Sequence, residues 1–123
     1  MPKFREHEDS GNFHYFKNLS IDVYIKLMKN TACLVGNSSS GIRDGAFIGT
    51  PSVNIGTRQN MRERGQNVID VDNDQNAINV AIQQQINNGS YQPEGIYGDG
   101  KAGQRIADVL ATCEWEIQKT ITY

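Results

Sequence analysis

Apolar positions along this chain come in short blocks whose spacing alternates between continuous runs and helical periods. Ile21, Tyr24, Ile25 and Met28 recur every three or four residues, with Val23 and Leu27 beside them and Ser20 where an N-cap belongs. That pattern predicts a helix buried on more than one side. Residues 32–36 (ACLVG) form a continuous apolar run and predict a central parallel strand. Residues 36–44 (GNSSSGIRD) turn into a second helix reaching about Ile48, which the following Gly-Thr-Pro stops. Residues 52–56 (SVNIG) and 67–71 (NVIDV) predict two more strands, with the charged loop 57–65 (TRQNMRERG) between them. Asp72 or Asp74 can cap a helix with the stripe Ala77, Ile78, Ala81, Ile82 and Ile86, closed by Asn87, Asn88 and Gly89. After a turn-rich loop, a last helix is expected from about Lys101 to Lys119, striped by Ala102, Ile106, Val109, Leu110, Cys113 and Ile117. The aromatic run Phe13–Phe16 suits a short strand, and residues 1–12 read as a linker or frayed start. Strands alternating with helices predict an α/β fold, a parallel sheet covered on both faces with right-handed crossovers.

Length and charge narrow the function. The chain has 123 residues, enough for one compact domain. With 14 acidic and 12 basic residues it is net acidic, which argues against a nucleic-acid backbone as partner. No run approaches a membrane span, and the first residues lack the apolar core of a signal peptide. Cys33 and Cys113 lie far apart and read as reduced, buried thiols of a cytoplasmic protein. His7 and His14 have no neighbouring ligand set, so no metal and no cofactor is expected.

The stretch 34–44 carries the candidate chemistry. A strand, a turn of small residues and a helix start aim backbone N–H groups beyond the strand's carboxyl end, where a phosphate or diphosphate is the natural occupant. Ser38, Ser39 and Ser40 offer hydroxyls, and Gly41 permits close approach. The pattern matches neither the dinucleotide fingerprint nor a Walker loop. It also fits a plain βα turn with a serine N-cap. Asp44 can accept from a ribose diol or simply complement the helix N-terminus. Arg58 follows a strand at the sheet's carboxyl edge, where ligands of open α/β sheets gather, or it is a solvated loop arginine. Arg62, Glu63 and Arg64 are expected to be solvated. Residues 98–103 (GDGKAG) read as a flexible helix start.

Four linked segments carry a resemblance: residues 36–44 (GNSSSGIRD), 49–59 (GTPSVNIGTRQ), 62–69 (RERGQNVI) and 97–107 (YGDGKAGQRIA). In order and spacing they resemble the hydrolysing UDP-N-acetylglucosamine 2-epimerases, over about residues 13–112. The resemblance implies a GT-B fold of two Rossmann-like domains, of which residues 13–123 would form part of the C-terminal one. It implies that Ser38 and Ser39 bind the diphosphate, that Arg58 reaches UDP, and that Leu19 sits against the uracil. Asp44 stands where the family usually has a ribose-binding Glu. The family eliminates UDP from UDP-N-acetylglucosamine and hydrates the glycal to N-acetylmannosamine. Its acids and bases lie mostly elsewhere, so no catalytic residue is expected here. The alternatives are a stand-alone, non-catalytic nucleotide-sugar-binding or interaction module and, more distantly, a glycosyltransferase tail. The expected partners are UDP or a UDP-sugar, together with a second copy of the chain or a missing N-terminal domain that covers its sheet edge.

Overall fold

The computed structural model describes residues 10–114. Three parallel strands form one sheet in the order β1 (Leu34–Gly36), β2 (Ser52–Ile55), β3 (Val68–Val71). Leu34, Ser52 and Val68 share one register position and Val35, Val53 and Ile69 the next, so these two rows face opposite sides of the sheet. The result is the parallel α/β arrangement expected of a Rossmann-like half-domain. The expectation of a central strand at 32–36 is corrected: β2 is central and β1 lies at an edge. Ser52, Val53 and Asn54 of β2 are buried, whereas Val35 of β1 is 43% exposed. Cover on both faces is therefore complete at β2 and thin at β1. An apolar run marks a strand's hydrophobicity, and its place in the sheet depends on which neighbours pair with it.

The helices are α1 (Ile21–Asn30), α2 (Ser39–Ile42), α3 (Asp44–Ile48), α4 (Gln75–Asn88) and α5 (Ala102–Thr112). α2 packs on β1 and β2, α4 on β2 and β3, and α1 mainly on α3. Asp74 caps α4, its carboxylate accepting from the Ala77 N–H at 2.8 Å. The single helix expected through Ile48 is instead two short ones, broken at Arg43. The cause is a competing donor. The Gly41 carbonyl is taken by the Asn67 side-chain amide at 2.9 Å, at the point where the next helical turn would otherwise use it.

Two amides anchor the amino-terminal edge of the sheet. Gln85, fully buried on α4, donates from Nε2 to the carbonyls of Ser52 and Asn67 at 2.7 and 2.8 Å, and its Oε1 accepts from the Tyr91 hydroxyl at 2.7 Å. Asn67 also donates to the Thr50 carbonyl at 2.8 Å. Gly49 ends α3 in the left-handed region at φ 83°, and a Cβ there would collide with the Tyr91 carbonyl.

Three further expectations change. Phe13–Phe16 forms no strand, because none of the described strands pairs with it. α1 buries only Met28, leaving Ile21, Val23, Ile25 and Leu27 between 44% and 67% exposed, because its main packing partner is the five-residue α3. α5 ends at Thr112 with Cys113 extended, and its stripe of Ile106, Val109 and Leu110 is open to solvent. Met1–Asp9, including His7, and residues 115–123, including Ile117 and Lys119, lie outside the described residues. No helix among the described residues is long and apolar enough to cross a membrane.

Candidate functional site

The carboxyl ends of β1 and β2 open onto the turn at residues 36–41. Ser38 occupies the N-cap position of α2 with φ −76° and ψ 144°, and its hydroxyl oxygen accepts from the Ser40 N–H at 3.3 Å. A cavity of about 280 Å³ meets this turn, and Gly36, Asn37, Ser38, Gly41 and Asn54 contribute to its walls. The helix behind the turn has only four residues. Its dipole is correspondingly small, so the polar character of the turn comes mainly from local N–H groups and hydroxyls. Gly41 has a structural reason of its own. A Cβ there would stand 3.2 Å from Ser52 Oγ and 3.4 Å from Leu34 Cδ2, so the missing side chain lets α2 lie close on the sheet.

The loop after β2 returns to the same turn. Gln59, 4% exposed, donates from Nε2 to the Asn37 carbonyl at 2.9 Å. The adjacent Arg58 is exposed and makes a long 3.4 Å bond from Nη1 to Asn37 Oδ1. Arg58 thus stands beside the turn with most of its donors uncommitted among the described residues. The expectation that Arg64 is solvated is corrected. Its Nε pairs with Asp70 Oδ2 at 2.6 Å, Nη1 donates to the Arg62 carbonyl, and Nη2 donates to the Gln59 carbonyl at 2.8 Å. Asp70, on β3, accepts at its other oxygen from Asn54 Nδ2 on β2 at 2.6 Å. The loop is therefore tied to two strands and to the turn by side chains.

The other expected site residues distribute unevenly. Asp44, first residue of α3, stands with Ser40 on the wall of a second cavity of about 340 Å³, otherwise lined by apolar residues of α1 and α3 such as Ile21, Tyr24, Met28 and Phe47. Ser39 opens α2, between the two cavities in sequence. Leu19 is half-buried just ahead of α1 and contributes to neither cavity wall. Arg43 lies over the Tyr97 ring at 5.6 Å, and Tyr97 donates to the Glu63 carbonyl at 2.7 Å, so this pair ties the α2–α3 elbow to the loop. Residues 98–103 form a helix start. Asp99 accepts from the Lys101 N–H at 3.0 Å and pairs with Arg105 at 2.6 Å, which places a carboxylate where an anion would otherwise sit.

The two cysteines are free and half-buried rather than buried. Partial burial pushes the Cys33 thiol above its usual value, partly offset by a backbone hydrogen bond from Val53.

A match to the UDP-N-acetylglucosamine 2-epimerase family spans residues 2–111. The chain belongs to this family. It is 37% identical over 108 residues to a UDP-N,N'-diacetylbacillosamine 2-epimerase (hydrolyzing) of Legionella pneumophila, covering 88% of this chain and 29% of that protein. A UDP-N-acetylglucosamine 2-epimerase of Neisseria meningitidis is 32% identical over 112 residues, covering 88% of this chain and 30% of the relative. A GDP/UDP-N,N'-diacetylbacillosamine 2-epimerase (hydrolyzing) of Campylobacter jejuni is 51% identical over 63 residues, which are 51% of this chain and 16% of that protein. The chain thus spans under a third of the length of these relatives.

Within the epimerase segment, sequence reasoning missed Asn37, Asn54, Gln59 and Asp70 and misplaced Arg64. One signal was present: Asn54 is an amide in the middle of a strand read as core, and a buried amide needs partners. The partners themselves lie 5 to 22 positions apart along the chain and meet only through the sheet order.

Proposed function

We propose that this chain is the UDP-binding part of a hydrolysing 2-epimerase, a C-terminal portion of a GT-B enzyme. In that reading Ser38, Ser39 and the N–H groups of the 36–41 turn hold the diphosphate and Arg58 supplies the positive charge. Asp44 accepts from the ribose and Leu19 rests against the uracil. The observation that carries the reading is the docking of the Arg58 loop onto the turn through Gln59 and Asn37. It brings a cation with uncommitted donors beside a serine-rich strand-to-helix turn at the carboxyl edge of a parallel sheet. With a net charge of −2 the chain as a whole offers no attraction for an anionic ligand, so a local cation adds to the N–H groups of the turn.

The reaction of the whole enzyme, in this reading, converts UDP-N-acetylglucosamine to N-acetylmannosamine and UDP. The names of the relatives include a second sugar, N,N'-diacetylbacillosamine, and both are UDP-linked 2-acetamido sugars. The chain alone should not turn over. Beside the turn stand Arg58 and Asn37, neither able to exchange a proton near neutral pH, and Asp44 is assigned to ribose. Calorimetric titration of the purified chain with UDP tests the binding. Absence of heat at millimolar UDP would sink it, and release of the free amino sugar by the chain alone would sink the assignment of chemistry to other parts of the enzyme.

A further inference from the structure

The loop arginines Arg58 and Arg64, and Arg43 of the α2–α3 elbow beside them, differ sharply in commitment. Arg58 makes one long bond, Arg43 lies on Tyr97, and Arg64 makes three bonds. All three guanidinium nitrogens of Arg64 donate within the protein, using three of its five N–H groups, so it is far more committed than Arg58. Its side chain is 20% exposed against 47% for Asp70. An ion pair so open on one side adds little to global stability. What it does is local. The chain of contacts runs from Asn54 on β2 to Asp70 on β3, then to Arg64, to the Gln59 carbonyl, and from the Gln59 side chain to the Asn37 carbonyl in the turn. Gln59 holds both ends: its main chain is fixed by Arg64 and its side chain fixes the turn. Arg58 is the residue immediately before it.

We propose that Arg64 is a positioning residue for nucleotide binding: through Asp70 and Gln59 it fixes the loop so that Arg58 stands beside the 36–41 turn. This inference rests on the UDP reading for its ligand, and on the hydrogen-bond chain alone for the positioning.

Coupling between variants tests it. In the purified chain, Arg64→Met should weaken UDP binding about threefold to tenfold, because Arg58 remains but is no longer held. The double variant Arg58→Ala/Arg64→Met should bind no more weakly than Arg58→Ala alone, since Arg64 acts through Arg58. Additive losses, or no loss at Arg64→Met, would overturn the proposal. A nucleotide-free arm separates it from the UDP reading. By solvent-exchange NMR, the Gln59 side-chain amide should exchange at least about tenfold faster in Arg64→Met, while the Gln85 side-chain amide stays protected. If Gln59 is unchanged, or if Gln85 loses protection too, Arg64 is a general structural residue and the proposal fails. Should Arg64→Met not fold, Asp70→Asn keeps the shape and removes the charge, and the same two measurements then decide. A wild-type chain that ignores UDP would end the UDP reading and leave the exchange measurement to judge the positioning.

Discussion

Arg64 Nε and Asp70 Oδ2 stand 2.6 Å apart, and this pair joins the loop after β2 to the strand that follows it. The loop runs from residue 56 to residue 67 without helix or strand, and near its middle Met61 is fully exposed with φ 68°. Side-chain bonds therefore do the work that a ladder or a helix does elsewhere. They hold one end of the loop against the sheet and the other against the candidate phosphate turn.

On UDP titration, the amide resonances of Ser38, Ser39 and Gly41 should move together and saturate. Residues of α5 should stay still. Movement confined to the α1–α3 cavity wall, around Tyr24 and Phe47, would instead place the nucleotide in the second cavity.

Replacing Arg58 by Ala should weaken UDP binding by about tenfold or more. A charge-assisted hydrogen bond is worth roughly 1.5–3 kcal/mol, and about 1.4 kcal/mol is a factor of ten. Because Arg58 is exposed and makes only one long bond among the described residues, its loss should leave the melting temperature unchanged. Calorimetry and a thermal melt on the same sample check both halves.

Gly49→Ala should destabilise the chain markedly, by roughly 2 kcal/mol or more, since strained left-handed backbone costs about 1–3 kcal/mol before any collision is counted. The new methyl would meet the Tyr91 carbonyl, which forces apart the α3 terminus and the segment after α4. Urea denaturation measures it. Gly98→Ala, also at positive φ but with open space around it, should cost less.

Gln85→Leu should cost about 1–3 kcal/mol, although it replaces an amide by a hydrocarbon in the core. It strips the Tyr91 hydroxyl of its acceptor and the Ser52 carbonyl of its side-chain donor. Adding Tyr91→Phe to this variant should recover part of the loss, because the stranded hydroxyl is then gone. An unimproved double variant would mean that the strand carbonyls dominate.

Asp99 gives α5 a pH dependence. The Arg105 guanidinium, and then the Lys101 N–H, hold its carboxyl below the ordinary value of 3.8. A carboxyl depressed in the fold stabilises it above the unfolded value and loses that contribution as pH falls through the folded value. The first turn of α5 should therefore fray on acidification below about pH 4, seen in the amides of residues 101–105. Arg105→Met should remove most of that dependence.

Much of this protein is legible from residue order. Alternation of apolar runs with helical stripes is a property of neighbouring residues, so the parallel α/β class, the three strands and the capped α4 follow from it directly. Glycine at the end of α3 and the serine-rich turn before α2 are likewise local, because backbone conformation at those points is set by one or two residues. The tertiary structure decided the rest. Strand order made β2 central and left β1 at the edge, which no apolar run encodes. Asn67, 26 positions from Gly41, took a helical carbonyl and split one helix in two. Arg64 became a brace, where its charged neighbours suggested solvent, because parallel pairing set Asp70 beside Asn54 and within its reach. Propensity acts between adjacent residues, whereas the roles of these polar side chains depend on partners that only the folded sheet brings within hydrogen-bonding distance.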